Sequence, residues 1–482
     1  MILRRFYDEK LAQASYLVGC AATGEALIVD PNRDVEQYIE AARAEKLRIT
    51  HVTETHIHAD FASGARELAH RTGARLYLSD EGGPDWKYAY AEEAGAVLLK
   101  DGDSFMVGNV RVDVRHTPGH TPEHLVFLIT DTAAANQPMG ALTGDFIFVG
   151  DVGRPDLLER AAGVAGTMVA GARQLFRSLQ AFKELPEYLQ IWPGHGAGSA
   201  CGKALGAVPQ STLGYEKLFN WAFSYDDEEA FVEAVLAGQP DPPAYFAEMK
   251  RLNKVGPALL GGIRRPPRQD PRTLADRLSG GARVLDLRRA PAYAAGHVPG
   301  TISLPLTRSF TTYAGTILSY DEDLYLLVDD EQCPNCVDEA VRDLAMIGLD
   351  RVTGWFGRDA LDAWVAAGRS LESTEQIDSD ALAQRIAAGD VVVIDVRRQD
   401  EWDAGHIPGA LHIPLGRLTA RVHEIPRDRV VVVHCHSGGR SPIAASLLRA
   451  HGIEHVVNHP GGILEWRARQ HPVEVDSGAG VA

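Results

Sequence analysis

The second half of this chain repeats itself, and that repeat constrains the fold more than any other feature. Val284-Leu285-Asp286-Leu287-Arg288 is followed by Ala295-Gly296-His297-Val298-Pro299-Gly300 and Leu304-Pro305-Leu306. Val393-Ile394-Asp395-Val396-Arg397 is followed by Ala404-Gly405-His406-Ile407-Pro408-Gly409 and Ile413-Pro414-Leu415. The offset is 109 residues throughout (286 to 395, 296 to 405, 305 to 414). Farther on, Ile347-Gly348-Leu349 matches His451-Gly452-Ile453 at an offset of 104, so the first copy carries five extra residues in between. Two tandem domains of about 100 residues are expected.

Within each copy, short β-branched runs alternate with helical stretches. Val430-Val431-Val432-Val433 is a continuous apolar run, as expected of a parallel strand buried on both faces. It leads into a loop at Cys435, and Pro442 to Leu448 then reads as a helix with proline in its first turn. The whole chain of 482 residues is too long for one ordinary core. Proline-rich connectors at 238–243 and 264–271 suggest boundaries near residues 260 and 375.

Composition narrows the function classes. A net charge of -17 argues against general nucleic-acid binding, which needs a basic surface to meet phosphates. No apolar run approaches the ~18 residues needed to cross a bilayer, and the N-terminus turns acidic at once with no signal-peptide core. A cytoplasmic protein without membrane partners is expected. Five cysteines (Cys20, Cys201, Cys333, Cys336, Cys435) are spread too thinly for a secreted disulfide framework.

The N-terminal half carries a second signature. Thr55-His56-Ile57-His58-Ala59-Asp60 follows the strand-like stretch 47–52, and His120 lies in Thr117-Pro118-Gly119-His120 after the strand-like 110–114. Asp145 follows Thr143-Gly144, and His195 lies in Trp192-Pro193-Gly194-His195. Loops leaving strand ends can turn such side chains toward one point, and imidazole with carboxylate suits first-row metals.

These motifs resemble the metallo-β-lactamase superfamily over about residues 1–255. The resemblance implies two mixed sheets sandwiched between helices. Where many members place a second-site histidine after the aspartate, this chain has Phe61, which favours one metal over two. A one-metal site with two histidines and a carboxylate is the arrangement of non-haem iron oxygenases, and the persulfide dioxygenases are the branch of the superfamily that uses it. By this resemblance His56, His120 and Asp145 hold iron, while His58, Asp60 and His195 orient ligands and water. In a zinc-hydrolase arrangement His58 would join the ligands. Gly153-Arg154-Pro155-Asp156 is similar to a run of the dioxygenases, making Arg154 a candidate for the substrate's anionic group, with a structural salt bridge as the alternative. Lys203, after a glycine-rich stretch, is a second such candidate. Cys201 and Cys20 read as buried thiols, with persulfide handling as the other possibility for Cys201.

The C-terminal loop Cys435-His436-Ser437-Gly438-Gly439-Arg440 combines a thiol at a strand end, two glycines and an arginine before a helix. A nest of backbone amides and a helix dipole stabilises a thiolate or persulfide there. The repeat, this loop and the closing Gly461-Gly462 with Trp466 resemble the rhodanese family. The resemblance makes Cys435 the nucleophile, supported by Arg440, with 436–439 cradling the transferred group. Four residues separate cysteine and arginine, as in the sulfurtransferases, against five in the related phosphatases. At the 104-residue offset Cys435 falls on Glu331, so the first copy lacks the nucleophile. Its Cys333-Pro334-Asn335-Cys336 is a C-x-x-C pair at a helix start, either redox-active or incidental.

The expected fold class is therefore α/β: an N-terminal αββα sandwich (1–260), a silent rhodanese-like domain (261–375) and an active one (376–482), both with parallel sheets. The chain as a whole resembles the bacterial fusions of persulfide dioxygenase with rhodanese, which act in hydrogen sulfide detoxification. That resemblance implies one Fe(II) per chain, with zinc possible in a purified sample. It implies a low-molecular-weight thiol persulfide, O2 and sulfite or thiosulfate as small-molecule partners, and it is compatible with a homo-oligomer. A zinc-dependent glyoxalase II-like thioester hydrolase with an accessory sulfurtransferase is the alternative, and a sulfur carrier or sensor without turnover is a third. The residues leave open the thiol carrier, the metal loaded and the direction of sulfur transfer.

Overall fold

The computed structural model describes residues 1–160, 163 and 166–475. They form two compact units, one of the described residues of 1–263 with Ala345–Gly348 and one of Arg264–Leu344 with the described residues from Leu349 onward. Among the described residues no helix is long and apolar enough to cross a membrane.

The first unit holds two six-stranded sheets in which spatial order follows chain order, from Ile2–Asp8 to Val97–Leu99 and from Ser104–Val107 to Ser211–Thr212. Sequence pattern explains their roles. Along Val110–His116, Val110, Val112 and Val114 are buried and alternate with more exposed Arg111, Asp113 and Arg115, so one face points to the core. Gln13–Cys20 is buried at every residue because both of its faces are covered. Tyr16, Leu27, Val112, Phe127, Leu142 and Trp192 fill the layer between the sheets. Outside it, Tyr38 and Leu68 of the helices Glu36–Ala44 and Ala65–Thr72 share a cluster with first-sheet residues. On the other side, Leu175, Leu179, Phe231 and Val235 of the helices Thr167–Phe182 and Glu228–Leu236 share one with second-sheet residues. The result is helix, sheet, sheet, helix.

The site loops leave the ends of strands within this sandwich, and two glycines let them approach closely. Gly144 has φ +49°, and a Cβ there would lie 2.5 Å from Thr55 Oγ1. At Gly119 a Cβ would lie 2.5 Å from Leu175 Cα and Cβ, so the loop bearing His120 rests directly on the helix Thr167–Phe182.

The second unit contains two all-parallel sheets. In the first, the spatial order is Ile302–Ser303, Arg283–Asp286, Leu324–Leu327, Val352–Phe356. In the second it is Leu411–His412, Val391–Asp395, Val430–His434, Val456–His459, with Glu375–Gln376 added at the edge. The two orders coincide strand for strand. The repeated motif proves to be a clamp. Arg397 holds Asp395 through Nε and Nη2 and donates from Nη2 to Gly405 O at 3.0 Å; Arg288 does the same with Asp286 and Gly296 O, also at 3.0 Å. Each clamp ties the strand end to the Gly-His turn, whose histidine stacks on an aromatic ring, His406 on Trp402 and His297 on Tyr293.

Strand register corrects one expectation. Asp286 pairs with Leu327 as Asp395 pairs with His434, so Val328, not Glu331, stands where Cys435 stands in the second copy. The constant offset failed because part of the first copy's extra length falls before this strand and part inside the loop. Val328 is fully buried, an apolar plug in place of a nucleophile.

Leu175 is fully buried beneath the His120 loop. Leu175→Ala is expected to lower unfolding free energy by about 2–5 kcal/mol, as cavity-forming leucine truncations do. Chemical denaturation of the variant, with metal content measured alongside, checks this.

Candidate metal centre and thiol loop

In the first unit, His56, His120 and Asp145 bring one ligand atom each within 4.8 Å of one another, all buried. The ring orientations are set from behind. His120 Nδ1 donates to Arg154 O at 2.9 Å, and His195 Nδ1 to Ala12 O at 3.0 Å. His56 Nδ1 meets Thr55 Oγ1 at 3.0 Å, and that hydroxyl in turn donates to Asp30 Oδ2 at 2.9 Å. With Nδ1 so engaged, Nε2 of each ring faces Asp145, at 3.9 Å from His56, 3.5 Å from His120 and 3.4 Å from His195. Burial, reinforced by the neighbouring histidines, pushes His56 well below the ordinary imidazole range, so its Nε2 presents a lone pair. Burial also works to raise the Asp145 carboxyl, but His195, His120 and His58 around it hold it low and ionised.

Both Asp145 oxygens and His56 Nε2 are buried without a hydrogen-bond partner. A carboxylate and neutral imidazoles converging without donors between them are a cation's donor set, and these residues fit a divalent metal. His58 turns elsewhere: its Nε2 meets Asp30 Oδ1 at 3.0 Å. Burial works against its charge, yet Asp30 lifts it to about 9, so it sits as a cation against that carboxylate. Phe61 is fully buried with its ring 4.4 Å from that of His58. Asp60, His195 and Cys201 form a second buried group with ligand atoms within 4.8 Å. Burial raises the Cys201 thiol well above its usual range.

Two expected substrate contacts have partners within the chain. Arg154 is fully buried, with Nε and Nη2 on Asp156 at 2.7 Å each and Nη1 on Ala200 O, so its guanidinium is already engaged within the scaffold. Its part in the site is through its carbonyl, which orients His120. Lys203 Nζ donates to Ala234 O at 2.6 Å and lies 4.2 Å over the Trp221 ring, capping a helix end instead of a pocket.

Several supporting residues escaped the sequence reading. His124 is fully buried, stacks on His56 and accepts from the Asp145 amide through Nε2 at 3.1 Å. Glu123 accepts from Ile57 N, and Asn253 donates to the carbonyls of His58 and Phe61. His124 lies four residues past His120 in a run of polar residues, a signal that was available; Asn253 lies some two hundred residues away and carried none.

In the second unit, Cys435 follows the strand Val430–His434 and is 1% exposed. Its Sγ accepts from Gly438 N at 3.1 Å and lies 3.7 Å from Ser441 Oγ. Gly438 has φ +87°, and a Cβ there would lie 2.3 Å from Pro460 O. Behind the loop, Ile463 N donates to Cys435 O and Leu464 N to His436 O, so the helix Gly462–Ala468 closes it. His434 is neutral, lowered to about 4 by burial despite Asp395 at 3.4 Å. Arg440 forms a two-point pair with Glu401 at 2.6 and 2.7 Å, which fixes its guanidinium instead of leaving it free. His436 is half-exposed, 3.8 Å from the same carboxylate. The first repeat copy reaches this loop: a Cβ at Gly439 would meet Tyr313 Oη at 3.1 Å. A cavity of about 660 Å³ lies alongside, bordered by Ala290, Pro291 and Ala294 of the first copy and Ser437, Gly438 and Pro442 of the second.

Residues 9–195 match the metallo-β-lactamase superfamily and residues 378–469 the rhodanese-like domain. The chain therefore belongs to the metallo-β-lactamase superfamily through its N-terminal part and carries a rhodanese-like domain near its C-terminal end, a fusion of the two. It is 45% identical to a crystal structure of a metallo-β-lactamase from Staphylococcus aureus subsp. aureus COL, over 74% of this chain and 99% of that one, with a TM-score of 0.67. A sulfurtransferase of Allochromatium vinosum is 40% identical over 104 residues, 21% of this chain and 97% of its own. A mitochondrial persulfide dioxygenase of Bos taurus is 27% identical over 199 residues, 40% of this chain and 68% of its own.

Two measurements check this geometry. Asp145→Ala is expected to lose nearly all bound metal, read by elemental analysis, because it removes the only anionic donor of the trio. Glu401 has its carboxyl lowered from 4.5 to about 2: burial opposes the shift, and the Arg440 bonds produce it. A depressed folded value means that the pair stabilises above the unfolded value and that this is lost as pH falls toward 2. Glu401→Gln is thus expected to cost about 1–3 kcal/mol at neutral pH, with the difference from wild type shrinking below about pH 4.5 in acid-unfolding curves.

Proposed function

We propose that this chain is a two-step sulfur enzyme. In the first unit a low-molecular-weight thiol persulfide is oxidised with O2: RSSH + O2 + H2O gives RSH, sulfite and two protons. In the second unit Cys435 moves a sulfane sulfur, so that a Cys435 persulfide and sulfite give the Cys435 thiolate and thiosulfate, or the reverse. The observation that carries the reading is the His56, His120 and Asp145 trio, which offers two neutral nitrogens and one carboxylate to a single metal, while His58, with Phe61 packed on its ring, turns to Asp30. The relationship to a persulfide dioxygenase and to a sulfurtransferase supports the same pairing.

Iron bound by the trio would supply the open positions and the redox chemistry for O2. The chain's own residues do the rest. Arg154 O and the Thr55 hydroxyl fix the two ring orientations, so both nitrogens stay aimed at one point. His195 Nε2, 3.3 Å from Asp60 and 3.4 Å from Asp145, is placed to hold a proton between the two carboxylates. In the second unit the Gly438 amide donates to Cys435 Sγ at 3.1 Å and Arg440 closes the same loop, so a backbone donor and a cation stand ready for charge on the transferred group. The first repeat copy, with Val328 in the nucleophile's place, is a silent rhodanese-like domain (261–375) ahead of the active one (376–482).

One observation favours a second reading. Asp60, His195 and Cys201 could hold another ion, as a two-metal thioester hydrolase would require. The deciding experiment is O2 uptake by iron-loaded protein given glutathione persulfide and coenzyme A persulfide, with sulfite and thiosulfate quantified. Wild type is expected to consume O2 and form thiosulfate, while Cys435→Ser consumes O2 and accumulates sulfite. No O2 uptake from protein carrying iron, together with thioester turnover by a form holding two zinc ions, would overturn the dioxygenase reading.

A further inference from the structure

The loop that in the second repeat copy carries Cys435 carries a disulfide in the first. Cys333, in the loop after the strand Leu324–Leu327, is bonded to Cys336, the first residue of the helix Cys336–Met346, with Cα atoms 5.4 Å apart. Strand order makes this the topological counterpart of the segment between Val430–His434 and Ser441–Ala450. Parallel sheets place such loops at the carboxyl ends of their strands, where ligands gather. We propose that Cys333 and Cys336 are a dithiol–disulfide exchange centre that reduces small-molecule persulfides, so that the copy without a nucleophile keeps a sulfur chemistry of its own. The choice of persulfide as substrate rests on the function proposed above; the exchange chemistry does not.

The bond does little as a structural staple. It joins two residues of one turn that backbone hydrogen bonds already close, Cys333 N to Asp329 O at 2.9 Å and Cys336 N to Cys333 O at 3.2 Å. A loop this short removes little freedom from the unfolded chain. Its two sulfurs are also unequal. Cys333 is partly exposed between exposed Gln332 and Pro334, whereas Cys336 is buried at 9% and is the first residue of an eleven-residue helix. An incoming thiolate therefore reaches Cys333 Sγ, and the helix start stabilises the departing Cys336 thiolate.

The cycle balances with a thiol as reductant. From the reduced pair, the Cys333 thiolate attacks the outer sulfur of RS–SH, breaking that S–S bond and releasing RSH after protonation. Cys336 thiolate then attacks Cys333 Sγ of the resulting Cys333 persulfide, forming the protein disulfide and expelling hydrosulfide. The sum is RSSH plus two protein thiols giving RSH, hydrogen sulfide and the disulfide. Two further equivalents of a low-molecular-weight thiol return the dithiol and leave as RSSR.

The test uses the full chain carrying Cys435→Ser, so that the rhodanese thiol is silent, reduced and then mixed with glutathione persulfide without O2. About one equivalent of hydrogen sulfide per chain is expected in a single turnover, with the 333–336 disulfide formed in step by mass spectrometry. Adding Cys333→Ser is expected to reduce the yield about tenfold or more, and excess glutathione to make the intact pair turn over. A disulfide that glutathione leaves intact, or hydrogen sulfide release unchanged by both Cys333→Ser and Cys336→Ser, overturns the proposal. O2 uptake with iron is measured on the same proteins. Uptake unaffected by Cys333→Ser while exchange is absent sinks only this inference, and exchange present without uptake in wild type sinks only the dioxygenase reading.

Discussion

A carboxylate buried without a hydrogen bond to either oxygen is the constraint around which the first unit is arranged. Removing Asp145 from water costs several kcal/mol unless positive charge or donors replace the lost hydration. Histidine nitrogens face it from three sides, and burial keeps His56 neutral. Everything behind those rings works to keep the donors aimed inward: Thr55 and Asp30 behind His56, the Arg154 carbonyl behind His120, the Ala12 carbonyl behind His195. Gly144 permits this by letting the end of its strand pass within contact of Thr55. The sandwich converts a local electrostatic cost into affinity for a cation.

The second unit solves a different problem with one device used twice. A parallel strand that ends in an aspartate must satisfy that carboxylate where the sheet is fully covered. An arginine two residues on does so and uses its remaining donors to grip the Gly-His turn. The device is indifferent to catalysis, since it is equally intact in the copy with Val328 in the nucleophile's position. Retention of the clamp in both copies is a matter of fold. Their difference lies in the following strand-to-helix loop, where six residues with two glycines wrap a thiol in one copy and eight residues in the other carry Cys333, bonded to Cys336 at the helix start.

What could be read from sequence divides along the same line. The donors His56, His120 and Asp145 lie in short runs at strand ends, so their neighbourhood follows from local pattern. The Cys435 loop is compact for the same reason. The repeat made the paired architecture legible, but a constant offset misplaced the counterpart of Cys435, because insertions are invisible until hydrogen-bond register fixes them. Charge partners were the harder part. For Arg154 a salt bridge stood as the alternative to a substrate contact, and Asp156 two residues on forms it; Lys203 meets helix-end carbonyls about thirty residues on. A guanidinium buried to 0% with a carboxylate at 2.7 Å is part of the scaffold, whatever motif contains it.

The first repeat copy also shapes the surroundings of the thiol loop in the second. Cys435 is nearly inaccessible within its own loop, so the space next to that loop must be shaped by something else. Pro291 and Ala294 border the cavity beside Ser437 and Gly438, and Tyr313 reaches Gly439. Burial raises the Tyr313 hydroxyl, which therefore stays protonated and able to donate, with Arg440 and Cys435 close enough to influence it. Ser303 N donates to Ser446 Oγ in the helix that follows the Cys435 loop, fixing the two copies against each other at a buried point. The first copy thus supplies a wall beside the thiol loop of the second, whatever stands at its own Val328.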